Sequence, residues 1–64
     1  MNPYHKLLRR PQVEELTGLS RTAIYERMKS GTFPNSIALS PKTIRWVNGE
    51  IIKWIEEQIV IARR

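Results

Sequence analysis

A mainly α fold with a small β-hairpin, a winged helix-turn-helix of three helices plus a two- or three-stranded wing, is what three features of these 64 residues predict. The first is the stretch from Ser20 to Ser30, bounded by Gly18 and Gly31, which has the cap, length and stop of a three-turn helix entered from a tight turn. The second is a change of rhythm after Gly31. Ile37-Ala38-Leu39 and Ile44-Arg45-Trp46 show apolar residues at period two on both sides of Ser40-Pro41-Lys42-Thr43. The third is the apolar-rich run from Ile51 to Ala62, with Asn48 and Glu50 before it and Arg63-Arg64 after it, charges that match the dipole of a closing helix.

From the N-terminus, Met1 to His5 carry Pro3 and no periodic pattern, and are expected to be a disordered, frayed lead-in to a single domain spanning residues 1–64. Lys6-Leu7-Leu8-Arg9 sets two apolar residues between charged ends and offers a third strand. Pro11 suits the first helical position, where its missing amide is not needed, and Glu14 and Glu15 favour the positive end of the helix dipole. Val13 and Leu16, three apart, supply the buried edge, and Gly18 ends the helix.

Gly18-Leu19-Ser20 is the short, glycine-containing link that lets two helices cross steeply, with Leu19 plugging the joint. Ile24, six residues beyond Gly18, packs back on the first helix. The usual pattern of this motif has a small residue where this chain has Glu14, so either the pair is splayed or Glu14 is rotated outward. Along the second helix Ala23, Ile24 and Met28 share the inner side, while Arg21, Thr22, Tyr25, Glu26 and Lys29 spread over the outer one.

In the hairpin, Pro41 fits the second position of the turn. Ile37, Leu39, Ile44 and Trp46 are expected to face the helices, with Ala38, Lys42 and Arg45 outside or at the tip. An isolated hairpin is marginal, so this one leans on the helices. Asn48 is expected to cap the closing helix, whose inner face carries Ile51, Trp54, Ile55, Gln58, Ile59 and Ala62. Ile52 and Val60, with part of Ile61, fall away from that face and leave more apolar surface than a small monomer wants, which marks them for self-association.

Eleven Lys and Arg against six Asp and Glu give a net charge of +5, which makes nucleic acid the first partner to weigh against an anionic membrane surface or mere solubility. Without cysteine there is no disulfide, thiolate metal site or thiol nucleophile, a composition that suits a reducing cytoplasm. No apolar run approaches the roughly 18 residues of a membrane span. His5 lacks a second ligand at metal spacing, and Glu56 and Glu57 diverge by about 100° on a helix. With no nucleophile, base and oxyanion donor set, the chain is expected to be no enzyme and to need no cofactor or metal.

The order of elements gives the charges a use. A winged helix-turn-helix lays its second helix in the major groove and its hairpin over a neighbouring minor groove. Arg21 and Thr22, at the N-terminal end of that helix, are placed to meet base edges, Arg by bidentate pairing with guanine and Thr by its hydroxyl or methyl. Tyr25, Arg27 and Lys29 suit phosphates, and Glu26 suits either cytosine N4 or the exclusion of wrong contacts. Lys42 and Arg45 flank a tip able to approach a narrow minor groove. The plainer alternatives are a solvated helix end for Arg21 and Thr22, packing on the hairpin for Tyr25, a solvated carboxylate for Glu26, pairing with Glu26 or the wing for Arg27, and an ordinary charged turn for the wing. Trp46 and Trp54 sit at apolar-face positions and belong to the core.

Leu7-Leu8-Arg9 through Val13, Leu16-Thr17-Gly18-Leu19-Ser20-Arg21, Ile24-Tyr25, Gly31-Thr32-Phe33-Pro34, Arg45-Trp46, Glu50 and Trp54 together resemble the AlpA-type prophage regulators, relatives of phage excisionases and more distantly of MerR-type winged helices. The likeness runs over roughly residues 6 to 56. It implies a mobile-element protein that binds double-stranded DNA as a recombination directionality factor bending attachment-site DNA, as a transcriptional regulator of the integrase gene, or as both. It also implies recognition-helix contacts from Arg21, Thr22 and Tyr25, and wing contacts from Lys42 and Arg45. A site-specific integrase and further copies along the DNA are the implied protein partners. The apolar closing helix departs from the pattern, and it supports a rival expectation: a protein-interaction module that captures an integrase or a regulator through that helix.

Overall fold

The computed structural model describes residues 2–64, and its first element is one that sequence periodicity does not reveal. Pro3–His5 form a 3-10 turn that the Asn2 side chain caps, its Oδ1 accepting from the Tyr4 amide at 2.9 Å. Asn48 Nδ2 donates to the Pro3 carbonyl at 2.8 Å, and Tyr4 lies so close to Gly49 that a Cβ there would overlap its ring. The expectation of a frayed lead-in is corrected for residues 2–5, because a long-range anchor replaces the missing local period. Met1, the other residue of that lead-in, lies outside the described residues.

Strand β1, Leu7–Leu8, is followed by α1, Arg10–Thr17, and α2, Arg21–Lys29. The Arg9 amide donates to Gln12 Oε1 at 2.9 Å at the start of α1, and Pro11 takes the second helical position rather than the first. Glu14 is turned outward into an ion pair with Arg10 at 3.1 Å, which is how the chain tolerates a carboxylate where the helix pair favours a small residue. Gly18, at φ 73°, ends α1 with its amide on the Glu14 carbonyl at 2.8 Å. Val13 is fully buried, but Leu16 is exposed, contrary to expectation. It borders an open groove with Leu8, Gln12 and Asn48 that no element covers.

Ser20 caps α2 by accepting from the Ala23 amide at 3.2 Å. At the other end Gly31, at φ 78°, lets the Thr32 amide reach the Arg27 carbonyl at 2.9 Å while its own amide reaches that of Met28 at 3.2 Å. These two bonds make a Schellman stop, which satisfies carbonyls that a helix end otherwise leaves orphaned.

Strands β2, Ile37–Ser40, and β3, Thr43–Val47, form the hairpin, and β1 adds to the far edge of β3 in a three-stranded antiparallel sheet ordered β1-β3-β2. Leu7 pairs with Val47 and Leu8 with Trp46, so the short third strand is real. The facing expected of β2 is corrected. Ile37 lies opposite Arg45 and Ala38 opposite Ile44, and residues directly opposed across a ladder share a face. Ala38 therefore shares the face of Ile44 and Trp46, while Ile37 sits on the outer face and Leu39, at an irregularity between Ala38 and Ser40, is 55% exposed.

Helix α3, Asn48–Ala62, follows β3 without a loop. Asn48 is its first residue rather than its cap, and it spends its groups on the N-terminal segment, its amide donating to the Lys6 carbonyl at 2.7 Å. The core is Leu8, Val13, Ile24, Phe33, Trp46 and Ile51, with Leu19, Met28, Ile44, Trp54 and Ile55 partly buried against it. Only the first half of α3 is covered. Ile59 and Ala62, expected on the inner face, are exposed, because the α1–α2–sheet body ends beneath Trp54 and Ile55. Among the described residues, no helix is long and apolar enough to cross a membrane.

Candidate nucleic-acid interface

The outer side of α2 follows from its inner one. Ile24 is buried and Met28 half-buried against the core, so at about 100° per residue Thr22, Glu26 and Lys29 face solvent opposite them, Tyr25 lies on the flank, and Arg21 is exposed as the first residue of the helix, where nothing covers the inner side. Arg21, Thr22, Tyr25, Glu26 and Lys29 line one shallow depression along that side. All five are exposed, Tyr25 least so at 36%. The structure thus brings together five of the six residues named for this helix.

Two aromatic contacts organise the depression. The Arg21 guanidinium lies 5.9 Å from the centroid of the Tyr25 ring, within reach of a cation–π attraction. Tyr25 in turn meets buried Trp46 edge to face, centroids 6.4 Å apart at 63°. A continuous line of contacts therefore runs from the sheet through Tyr25 to the cation at the N-terminal end of α2. An arginine held this way can present its planar donor fork outward, which bidentate pairing needs. Neither Thr22 nor Lys29 has a hydrogen-bonding or ionic partner among the side-chain contacts of the described residues, so both are free to engage a ligand.

Arg27 belongs elsewhere. It lies on the flank of α2 towards α3, its guanidinium 5.7 Å from the centroid of Trp54. The two wing cations differ as well. Lys42 is exposed at the hairpin tip, whereas Arg45 is half-buried on the outer sheet face and donates from Nη1 to the Ile44 carbonyl at 2.7 Å. The wing thus offers one free cation at its tip and a second folded on its own strand.

The sequence led to the expectation that Trp54 helps to hold α2 at its angle and that Phe33 covers its end, but not to the contacts that do so. Trp54 Nε1 donates to the Thr32 carbonyl at 2.7 Å, and Phe33 packs on the Trp54 ring at 4.8 Å and 68°. Trp54 thus meets the end of α2 at Arg27 and the segment that leaves it at Thr32 and Phe33. The available signal was the indole N–H itself, which seeks a partner when half-buried. Among the described residues no group of three or more His, Cys, Asp or Glu could hold a metal ion. Ile52, Val60 and Ile61, marked for self-association, are exposed on α3, away from the α2 depression.

Comparison with known proteins agrees with this architecture. Residues 6–59 match the family model for the prophage CP4-57 regulatory protein (AlpA). The chain is 37% identical over 59 residues to the uncharacterized protein ORF88 of Enterobacteria phage P4, an overlap that covers 92% of this chain and 67% of that one. It is 30% identical over 59 residues to the DNA-binding transcriptional activator AlpA of Escherichia coli (strain K12), covering 83% of this chain and 84% of the relative.

Proposed function

The chain belongs to the AlpA family of prophage regulatory proteins, regulators rather than enzymes, and from that premise we propose that it binds double-stranded DNA with sequence preference at sites in a prophage or genomic island. The observation that carries this reading is the exposed side of α2, where Arg21, Thr22, Tyr25, Glu26 and Lys29 share one depression on a helix capped at both ends. A net charge of +5 supplies the phosphate attraction on which such binding depends. Arg21 and Thr22 read base edges, while Lys29 and the Tyr25 hydroxyl engage phosphate. Lys42 extends the contact from the hairpin tip; Arg45 joins it by releasing the Ile44 carbonyl, and Arg27 by leaving the Trp54 ring. Glu26 rejects sequences that would set an acceptor against it.

The biological act proposed is excision control: binding repeated sites beside an attachment site, bending that DNA and engaging a site-specific integrase, with regulation of the integrase gene from the same sites. Its place of work is the bacterial nucleoid. DNase footprinting on attachment-site DNA and on the integrase promoter tests the proposal. Repeated protected segments at the attachment site support excision control, protection confined to the promoter supports transcriptional regulation alone, and no protection at either rejects DNA control of this kind.

A second reading has its own observation. Val60 and Ile61 are exposed apolar residues on α3, the feature of a module that captures an integrase or regulator and hardly uses DNA. Ile52→Lys with Val60→Lys separates the two, since it abolishes partner capture on this reading and leaves single-site DNA binding intact on the first.

A further inference from the structure

The second half of α3 reaches past the core and leaves its outward side bare. Val60, 58% exposed, stands near the middle of that side, because at about 100° per residue it lies opposite the direction of Ile51, Trp54 and Ile55. The charges around it are divided by sign. Glu56 and Glu57 come one turn before Val60, and Arg63 and Arg64 come one turn after. Lys53, Glu56, Glu57, Val60, Ile61 and Arg64 border one shallow groove. Among the described residues none of the four charges has an ionic partner, the ion pair there being Arg10 with Glu14.

We infer that this side of α3 pairs with the same side of a second copy, laid antiparallel with the two Val60 side chains meeting on a two-fold axis. Such an axis, perpendicular to both helices, reverses height along the helix and keeps each residue on its own flank. Glu56 and Glu57 lie on opposite flanks of Val60, about 6 and 4.5 Å before it along the axis, and the helical pitch continued past Ala62 carries Arg63 to the flank of Glu56 and Arg64 to that of Glu57, about 4.5 and 6 Å beyond Val60. Glu56 therefore meets the partner's Arg63, and Glu57 meets the partner's Arg64, with Ile59 and Ile61 closing the edges. Parallel pairing stacks acid on acid and arginine on arginine, which costs free energy where antiparallel pairing gains it. With Lys53 the stripe carries both signs, Glu56 and Glu57 against Lys53, Arg63 and Arg64, around its apolar centre, which fits its own copy better than a strongly acidic or basic partner.

The overlap is small. About nine residues at the end of α3 and just beyond it, about 13 Å in length, bury far less than the roughly 800 Å² per partner of a stable complex. Free molecules pair weakly, and the contact takes hold where neighbouring copies on one duplex raise the local concentration towards millimolar. That last consequence rests on the DNA binding proposed above; the pairing itself does not.

The chain has no cysteine, so a single introduced thiol reports the geometry. Facing helices about 8–10 Å apart bring Cα atoms beside the two-fold axis within the roughly 4.4–6.8 Å that a disulfide spans. Oxidised at millimolar concentration without DNA, Val60→Cys is expected to form a disulfide dimer. Lys53→Cys, about 21 Å from its mate in this arrangement, is expected to stay monomeric. Adding Glu56→Arg and Glu57→Arg to the Val60→Cys chain lowers the dimer yield at least tenfold, and adding Arg63→Glu and Arg64→Glu to that variant restores it. Absence of the Val60→Cys dimer, equal yields at both cysteine positions, or no restoration each overturns the inference. Binding to a single DNA site is scored separately on the same proteins, so a failed pairing and a failed DNA reading give different results.

Discussion

Trp54 Nε1 donates to the carbonyl of Thr32 at 2.7 Å, tying the closing helix to the point where the chain leaves α2. Arg27 lies over the same indole at 5.7 Å and Phe33 packs against it at 4.8 Å, so one side chain holds the C-terminal end of α2 at its angle. Trp54→Phe keeps an aromatic ring and removes the hydrogen bond. It is expected to lower stability by about 0.5–1.5 kcal/mol in urea melts and to weaken binding to all duplexes alike, since it loosens the helix without touching a base. A change in which duplex is preferred would place Trp54 in the readout instead.

Tyr25 sits between Arg21 and Trp46, at 5.9 and 6.4 Å. Tyr25→Phe preserves both ring contacts, and Tyr25→Ala removes them. If the ring holds Arg21 in place, the alanine variant loses about 0.5–1 kcal/mol of discrimination at the base pair that Arg21 reads, while the phenylalanine variant keeps it. Competition shifts with single-base variants of the footprinted site measure this. Equal losses in both variants would instead assign the effect to the hydroxyl and a phosphate.

At the N-terminus, Gly49 leaves the space that the Tyr4 ring occupies. Gly49→Ala forces that ring away and is expected to cost about 1–3 kcal/mol. In a Tyr4→Ala background the same change costs much less, because the clash has gone. Thermal melts of the four proteins of this cycle check it, and additive losses would mean that the ring does not press on Gly49.

Most of the fold was legible because its signals are local. Ser20, Gly18 and Gly31 punctuate α2 where the chain needs a cap and two positive φ values, and helical spacing puts Thr22, Glu26 and Lys29 outside with Tyr25 on the flank, while Arg21 joins them because it opens the helix. The hairpin was half legible. Period two shows that Ile37 and Leu39 share a side, but cross-strand register decides which side, and here Ala38 rather than Ile37 opposes Ile44. The N-terminal turn depends on Asn48 and Gly49, more than forty residues away in sequence, and no pattern within residues 2–5 encodes such a contact. Arg27 shows the same limit at the site. Its spacing puts it on a flank of α2, and only the position of Trp54 decides what that flank meets.

The central claim, that the outer side of α2 reads DNA while its cations hold phosphate, is tested most directly by gel shifts across a salt series with Arg21→Ala, Lys29→Ala and the unchanged protein. With about 4 to 6 phosphate contacts, log affinity should fall against log salt with a slope near −4 to −5. Lys29→Ala should reduce that slope by about 1 and weaken every duplex alike, and Arg21→Ala should lose about 1–3 kcal/mol of discrimination between preferred and altered sites. A flat salt dependence, or equal sequence-independent losses in both variants, would contradict the account.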